Sequence, residues 1–164
     1  MRRAAALAAP LLAACWAAPA AGQTAVTGTP QSLFTHEIAT DKATAADVRS
    51  GLRDGRLFVD EDIAFADLTG DRRQDAIVRV DDGGAAGTMA VYVYSTDGAE
   101  KLRAVYRNQR LYRATTAVQG AALLLTTPRY AAGDEICCPA QSLQRTLTWS
   151  ARRHRLLLRS TQRV

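Results

Sequence analysis

The sequence predicts an α+β chain, mainly antiparallel β: a curved sheet of about seven or eight strands with one short N-terminal helix. Three observations predict it. Short β-rich runs broken by Gly/Asp clusters recur from residue 63 onward. The links between them are too short for βαβ crossovers, so neighbouring strands must run antiparallel. One apolar pair at helical spacing, Val48 and Leu52, precedes them. A chain of 164 residues, 48% hydrophobic and 23% charged, fits one globular domain and excludes a disordered tail or a collagen-like repeat. A domain of this size buries around two thirds of its unfolded surface, so it needs no metal or staple merely to fold.

Residues 1–22 read as a signal peptide. Met1-Arg2-Arg3 is a positive start, Ala4 to Ala14 an apolar stretch interrupted only by Pro10, and small residues follow from Ala17 to Gly22. The apolar core is shorter than the roughly 20 residues a membrane span needs. Two cuts compete. Leu12-Ala13-Ala14-Cys15 is similar to a bacterial lipobox, which would make Cys15 the lipid-modified first residue. A cut after the small residues at Ala20 and Gly22 would leave Gln23 first. Either places the domain outside the cytoplasm, in the periplasm or anchored to a membrane by lipid. With Arg2 and Arg3 removed, 19 basic residues face 16 acidic ones, too weak a field for a nucleic-acid partner.

Residues 23–43 lack periodicity and are expected to form a polar tether, with Phe34 and Ile38 able to dock on the body. The single domain is expected over 44–164. Thr44-Ala45-Ala46-Asp47 matches a capping box, Val48 and Leu52 share a face, and Gly55 is a stop, which predicts a helix over 44–54. Strands are expected at Ile63 to Asp67, Ala76 to Val80 and Thr88 to Tyr94. In the third, Met89, Val91 and Val93 point one way and Ala90, Tyr92 and Tyr94 the other. Five more follow: Leu102 to Tyr106, Arg113 to Val118, Ala121 to Thr127, Leu143 to Trp149 and Arg155 to Thr161, with Gln119-Gly120 as a tight hairpin turn.

The acidic link between the first two strands places Asp67, Thr69, Asp71 and Asp75 at offsets 1, 3, 5 and 9. Hard cations gather oxygen ligands at alternate positions in this way. The segment resembles the acidic turns of FG-GAP and VCBS-type repeats. That resemblance implies a calcium site with side-chain ligands from Asp67, Thr69, Asp71 and Asp75 and the Arg73 carbonyl. Arg72 stands where glycine normally permits the sharp bend, and Thr69 replaces a stronger ligand. The competing reading is a hairpin turn held by Asp side chains on nearby backbone amides. A single copy excludes a multi-bladed propeller.

Cys137 and Cys138 are adjacent and followed by Pro139. In an exported protein they favour oxidation. Ordinary disulfides hold Cα atoms about 4.4–6.8 Å apart, whereas neighbours sit about 3.8 Å apart, so a bond between them closes a small ring that locks a turn. A turn lock, a soft-metal thiolate pair and a redox or ligand-contacting disulfide are the readings. C-C lacks the C-x-x-C spacing of redox enzymes. The acidic turn, the Gly83-Gly84-Ala85-Ala86-Gly87 run, the Val-Tyr-Val-Tyr strand, Leu-Thr-Thr-Pro-Arg-Tyr, Gly-Asp, Cys-Cys-Pro and Thr-x-Thr-Trp come in an order that resembles the LppP/LprE-type bacterial lipoproteins over about residues 60–160. The resemblance brings the lipobox cut at Cys15 level with the later cut and implies no activity.

No catalytic motif is present. His36 and His154 form no recognisable catalytic motif with a serine, cysteine or acid. Gly83 to Gly87 lacks the Gly-Lys-Ser/Thr ending of a phosphate loop. The Asp60, Glu61 and Asp62 trio offers paired carboxylates for a hydrolase, but its spacing equally suits a solvated turn. The expected function is an exported, non-catalytic binding or envelope-associated module for an envelope component or a small ligand. Its contact edge would be Gly83, Gly84 and Gly87 with the turn at Cys137, Cys138 and Pro139. A calcium-binding structural or sensing domain is the alternative, and no other cofactor is expected.

Overall fold

The run from Thr88 to Thr96 carries Ala90, Tyr92 and Tyr94 on one face and Val91 and Val93 on the other, and all five are buried. A strand apolar on both faces must be covered on both. The computed structural model describes residues 28–96 and 101–164 and sandwiches this strand between two layers. Among the described residues are two helices, α1 (Pro30–Thr40) and α2 (Ala46–Arg53). The strands are β1 (Phe58–Val59), β2 (Ala64–Ala66), β3 (Asp75–Asp81), β4 (Thr88–Thr96), β5 (Leu102–Asn108), β6 (Thr115–Gln119), β7 (Ala122–Arg129), β8 (Gln141–Ser150) and β9 (Arg155–Arg163).

All pairings are antiparallel. The first sheet runs β1-β3-β4-β5, with β2 also on β3; the second runs β6-β7-β8-β9. The helices cover one face of the first sheet, where Phe34, Ile38, Val48 and Leu52 meet Val78, Val80, Tyr92 and Tyr94. The other face packs on the second sheet through Ile77, Val91, Val93, Leu123, Leu125 and Leu147. The α+β, mainly antiparallel class and the two-way facing of the third predicted run are therefore as expected.

The single curved sheet is corrected to two. Alternation shows which way a side chain points but not which sheet holds the strand. The break lies after β5. Leu111 N–H donates to the Met89 carbonyl (3.0 Å) and Arg113 N–H to that of Ala86 (2.8 Å), so the chain crosses to the start of β4 rather than folding back on β5. Arg113 then adopts φ 47°, a left-handed conformation that costs a non-glycine residue roughly 1–2 kcal/mol and redirects the chain into the second sheet. All eight predicted runs are strands, and the two-residue β1 is added. Gln119 and Ala122 pair around Gly120 at φ 58°, the expected hairpin.

The tether is corrected over residues 30–40, which are helix α1; residues 23–27 lie outside the described residues. Thr29 accepts from Ser32 N–H (3.2 Å) and Pro30 occupies the first turn. Phe34 and Ile38 are 3% and 0% exposed, so the body begins before residue 44. Arg107 pairs with Asp41 at 2.8 Å and fastens the end of α1 to β5. The capping box is corrected as well. Ala45, not Thr44, caps α2, and its N–H donates across the fold to Gln109 Oε1 rather than receiving a local side chain. Gln109 Oε1 also accepts from the Tyr92 hydroxyl (3.0 Å). Burial pushes the Tyr92 phenol up to about 12 and that of Tyr94 higher still, so both stay protonated as packing groups.

Candidate functional site

The β3–β4 link is built by its own aspartate. Asp82 Oδ1 accepts from Gly84 N–H (2.9 Å) and Oδ2 from Ala86 N–H (3.3 Å), while Asp82 N–H donates to the Gly87 carbonyl (3.2 Å). Gly87, at φ 55°, lies where a Cβ would stand 3.5 Å from the Arg113 Cα. Gly83, at φ 70° and exposed, would put a Cβ 2.9 Å from the Phe58 ring.

The cysteine turn is closed at its base by Asp134. Its Oδ2 accepts from Ala131 N–H (2.8 Å) and Ala140 N–H (3.0 Å), and these two bonds hold the carboxyl below the usual range. Cys138 N–H donates to the Glu135 carbonyl (3.0 Å). Cys137 and Cys138 are bonded to each other, with Cα atoms 3.8 Å apart, and both are exposed.

Arg113 joins the two loops. Its backbone N–H holds the glycine loop at Ala86, and its guanidinium donates to the Ile136 carbonyl beside the cysteines. The Tyr130 hydroxyl donates to that carbonyl too (2.9 Å), and the Tyr130 ring meets Tyr112 edge-on at 6.0 Å. A groove of about 560 Å³ runs from Gly84 and Gly87 past Arg113 to Ile136 and Cys137. A second, of about 220 Å³, continues past Cys137 to Tyr130 and Pro139. Ile136, 65% exposed, lines the first of them. The structure thus lines these grooves with Gly84, Gly87, Cys137 and Pro139 but not the exposed Gly83, and adds Arg113, Tyr130 and Ile136. Sequence spacing gave no signal for Arg113, whose partners lie 27 and 23 residues away; Cys15 lies outside the described residues.

The acidic turn spends its carboxylates on its own backbone. Asp67 Oδ1 accepts from Gly70 N–H (2.6 Å) and Oδ2 from Arg72 N–H (2.9 Å). Asp71 accepts from Arg73 N–H (2.9 Å). Asp75, fully buried, accepts from Leu68 and Thr69 N–H at 2.8 and 2.9 Å, with the Thr69 hydroxyl 3.5 Å from its other oxygen. The three carboxylates do not converge within 4.8 Å of one another. Arg72 takes φ 68° where glycine would be unstrained. Thr69, Asp71 and Arg73 line a polar groove of about 350 Å³ together with Arg103 and Trp149.

The Asp60 trio does not form a paired-acid site. Burial raises the Asp60 carboxyl, but its bonds from Arg79 (Nε at 3.0 Å) and from Asp62 N–H (2.8 Å) bring the net below the usual range. Glu61 and Asp62 point to solvent. Desolvation pushes the neighbouring Asp81 up, and Asp60 adds to this. His154 packs edge-on to Trp149 at 6.4 Å, and His36 sits on α1. Comparison with known proteins returns no matching family model, no matching curated protein and no matching solved structure.

Proposed function

We propose that this chain is an exported, non-catalytic binding or envelope-associated module of the LppP/LprE lipoprotein type, and that the edge between the glycine loop and the cysteine turn is its contact surface. One observation carries the reading: Arg113 bonds both loops, so two segments with unusual surface chemistry form one continuous edge. A surface of exposed backbone, an apolar Ile136 tip, aromatic rings and sulfur suits contact with a small ligand or an envelope component. Lipid at Cys15, in the lipobox-like Leu12-Ala13-Ala14-Cys15, is the proposed anchor; no helix among the described residues is long and apolar enough to cross a membrane. Placing a photo-crosslinking residue at Ile136 in the native envelope should give a discrete adduct, and the same residue at the exposed Val118 should not. Gly84→Trp, which blocks the rim, should abolish that adduct. Equal labelling from both positions, or labelling untouched by Gly84→Trp, overturns the reading.

The alternative is a calcium-binding structural or sensing domain, supported by the opening of Thr69 and Asp71 onto a polar groove. It expects a binding heat with millimolar calcium that Asp71→Asn removes. Calorimetry without that heat retires it.

A further inference from the structure

Glu135, Cys137 and Cys138 each offer a donor atom, and these atoms lie within 4.8 Å of one another. Among the described residues no other three carboxylate, imidazole or sulfur donors converge so closely. All three side chains are exposed, so an ion reaches them without opening the fold. The turn that presents them is also held by bonds other than the sulfur–sulfur bond. Asp134 closes its base through two backbone bonds, Cys138 N–H donates to the Glu135 carbonyl, and Tyr130 and Arg113 hold the Ile136 carbonyl.

We propose that reduction of the Cys137–Cys138 bond turns this loop into a binding site for a soft monovalent d10 cation, with two thiolates as the main ligands and the Glu135 carboxylate as the third. Thiolates select soft cations. Two adjacent sulfurs on one turn cannot surround a tetrahedral ion, which disfavours zinc and leaves ions content with two or three donors, Ag⁺ and Cu⁺. Arg113 lines both grooves beside Cys137 and offsets the net negative charge of the loaded site. The chemistry balances with a phosphine as reductant. Phosphorus attacks one sulfur, the S–S bond breaks, and water supplies the oxygen of the phosphine oxide and the protons of two thiols. Each thiol then passes its proton to buffer as a silver–sulfur bond forms.

The inference does not rest on the contact-edge reading, because metal uptake is read without any organic ligand and stands or falls apart from crosslinking at Ile136. The test uses the full chain carrying Cys15→Ser, so that the pair are its only thiols. Protein reduced by phosphine and freed of it is titrated with Ag⁺ against a competing ligand and weighed by native mass spectrometry. One Ag⁺ per reduced chain is expected, with the loss of two protons and unchanged circular dichroism, and none on the oxidised chain. Cys137→Ser and Cys138→Ser should each weaken binding by roughly 100-fold, the advantage of two linked donors. Glu135→Gln should weaken it by about tenfold. Equal uptake by the oxidised chain, single-cysteine variants as tight as the pair, or collapse of the fold on reduction would each overturn the site.

Discussion

Phe34→Ala should destabilise the folded chain by about 3–5 kcal/mol, the usual cost of emptying a buried aromatic site. Phe34 is 3% exposed, its ring lies 5.2 Å from that of Tyr94, and Ile38 beside it is fully buried. The lost ring would leave a hole between α1 and the central strand, bounded by residues already fixed by the sheet. A chain of this size should then melt about 6–20 °C lower. Leu33→Ala, one position away at 42% exposure, should change stability by less than about 0.5 kcal/mol. Thermal melts of the two variants decide whether α1 belongs to the cooperative body. Equal, small effects would return residues 30–40 to the status of a tether.

That helix also shows where the sequence was and was not legible. Strands of the body announced themselves because alternation over five to nine residues is a long signal, and the Val91/Val93 against Tyr92/Tyr94 split was readable directly. α1 had only Phe34 and Ile38 at helical spacing, with the apolar Leu33 off their face, so periodicity was weak. Its start was nevertheless written in Thr29-Pro30, an N-cap and a first-turn proline. The capping box at Thr44 misled for a different reason: the helix starts one residue later, with Thr44 N–H on the Asp41 carbonyl and the Ala45 N–H on Gln109 across the fold, a tertiary contact that no local pattern reveals. Two sheets instead of one followed from a single left-handed arginine at 113. The same residue makes the candidate site. Glycine and cysteine loops could be singled out by composition, but their meeting depends on backbone and guanidinium bonds spanning more than twenty residues.

The acidic turn is the case in which the sequence supported two chemistries, and Asp75 separates them. One oxygen of this fully buried carboxylate accepts both Leu68 and Thr69 N–H, and Leu68, 1% exposed, belongs to the core between the sheets. Asp75→Ala strands one buried and one half-buried amide at about 1–3 kcal/mol each, so a loss of about 2–6 kcal/mol is expected. Asp75→Asn keeps a neutral oxygen where both amides point and turns its NH₂ toward the Thr69 hydroxyl, which accepts. It should therefore cost less than about 1.5 kcal/mol, the scale of one ordinary hydrogen bond. A calcium ligand behaves differently: the amide loses the charge that a hard cation needs, so Asn would be nearly as damaging as Ala whenever the ion is bound. Denaturant melts of both variants, run once with chelator and once with millimolar calcium, distinguish the two. A large Ala penalty and a small Asn penalty, the same in both solutions, identify Asp75 as the acceptor that ties the turn to the core. A penalty that appears only with calcium, and equally for Asn and Ala, would make the turn a metal site and the amide bonds its resting state.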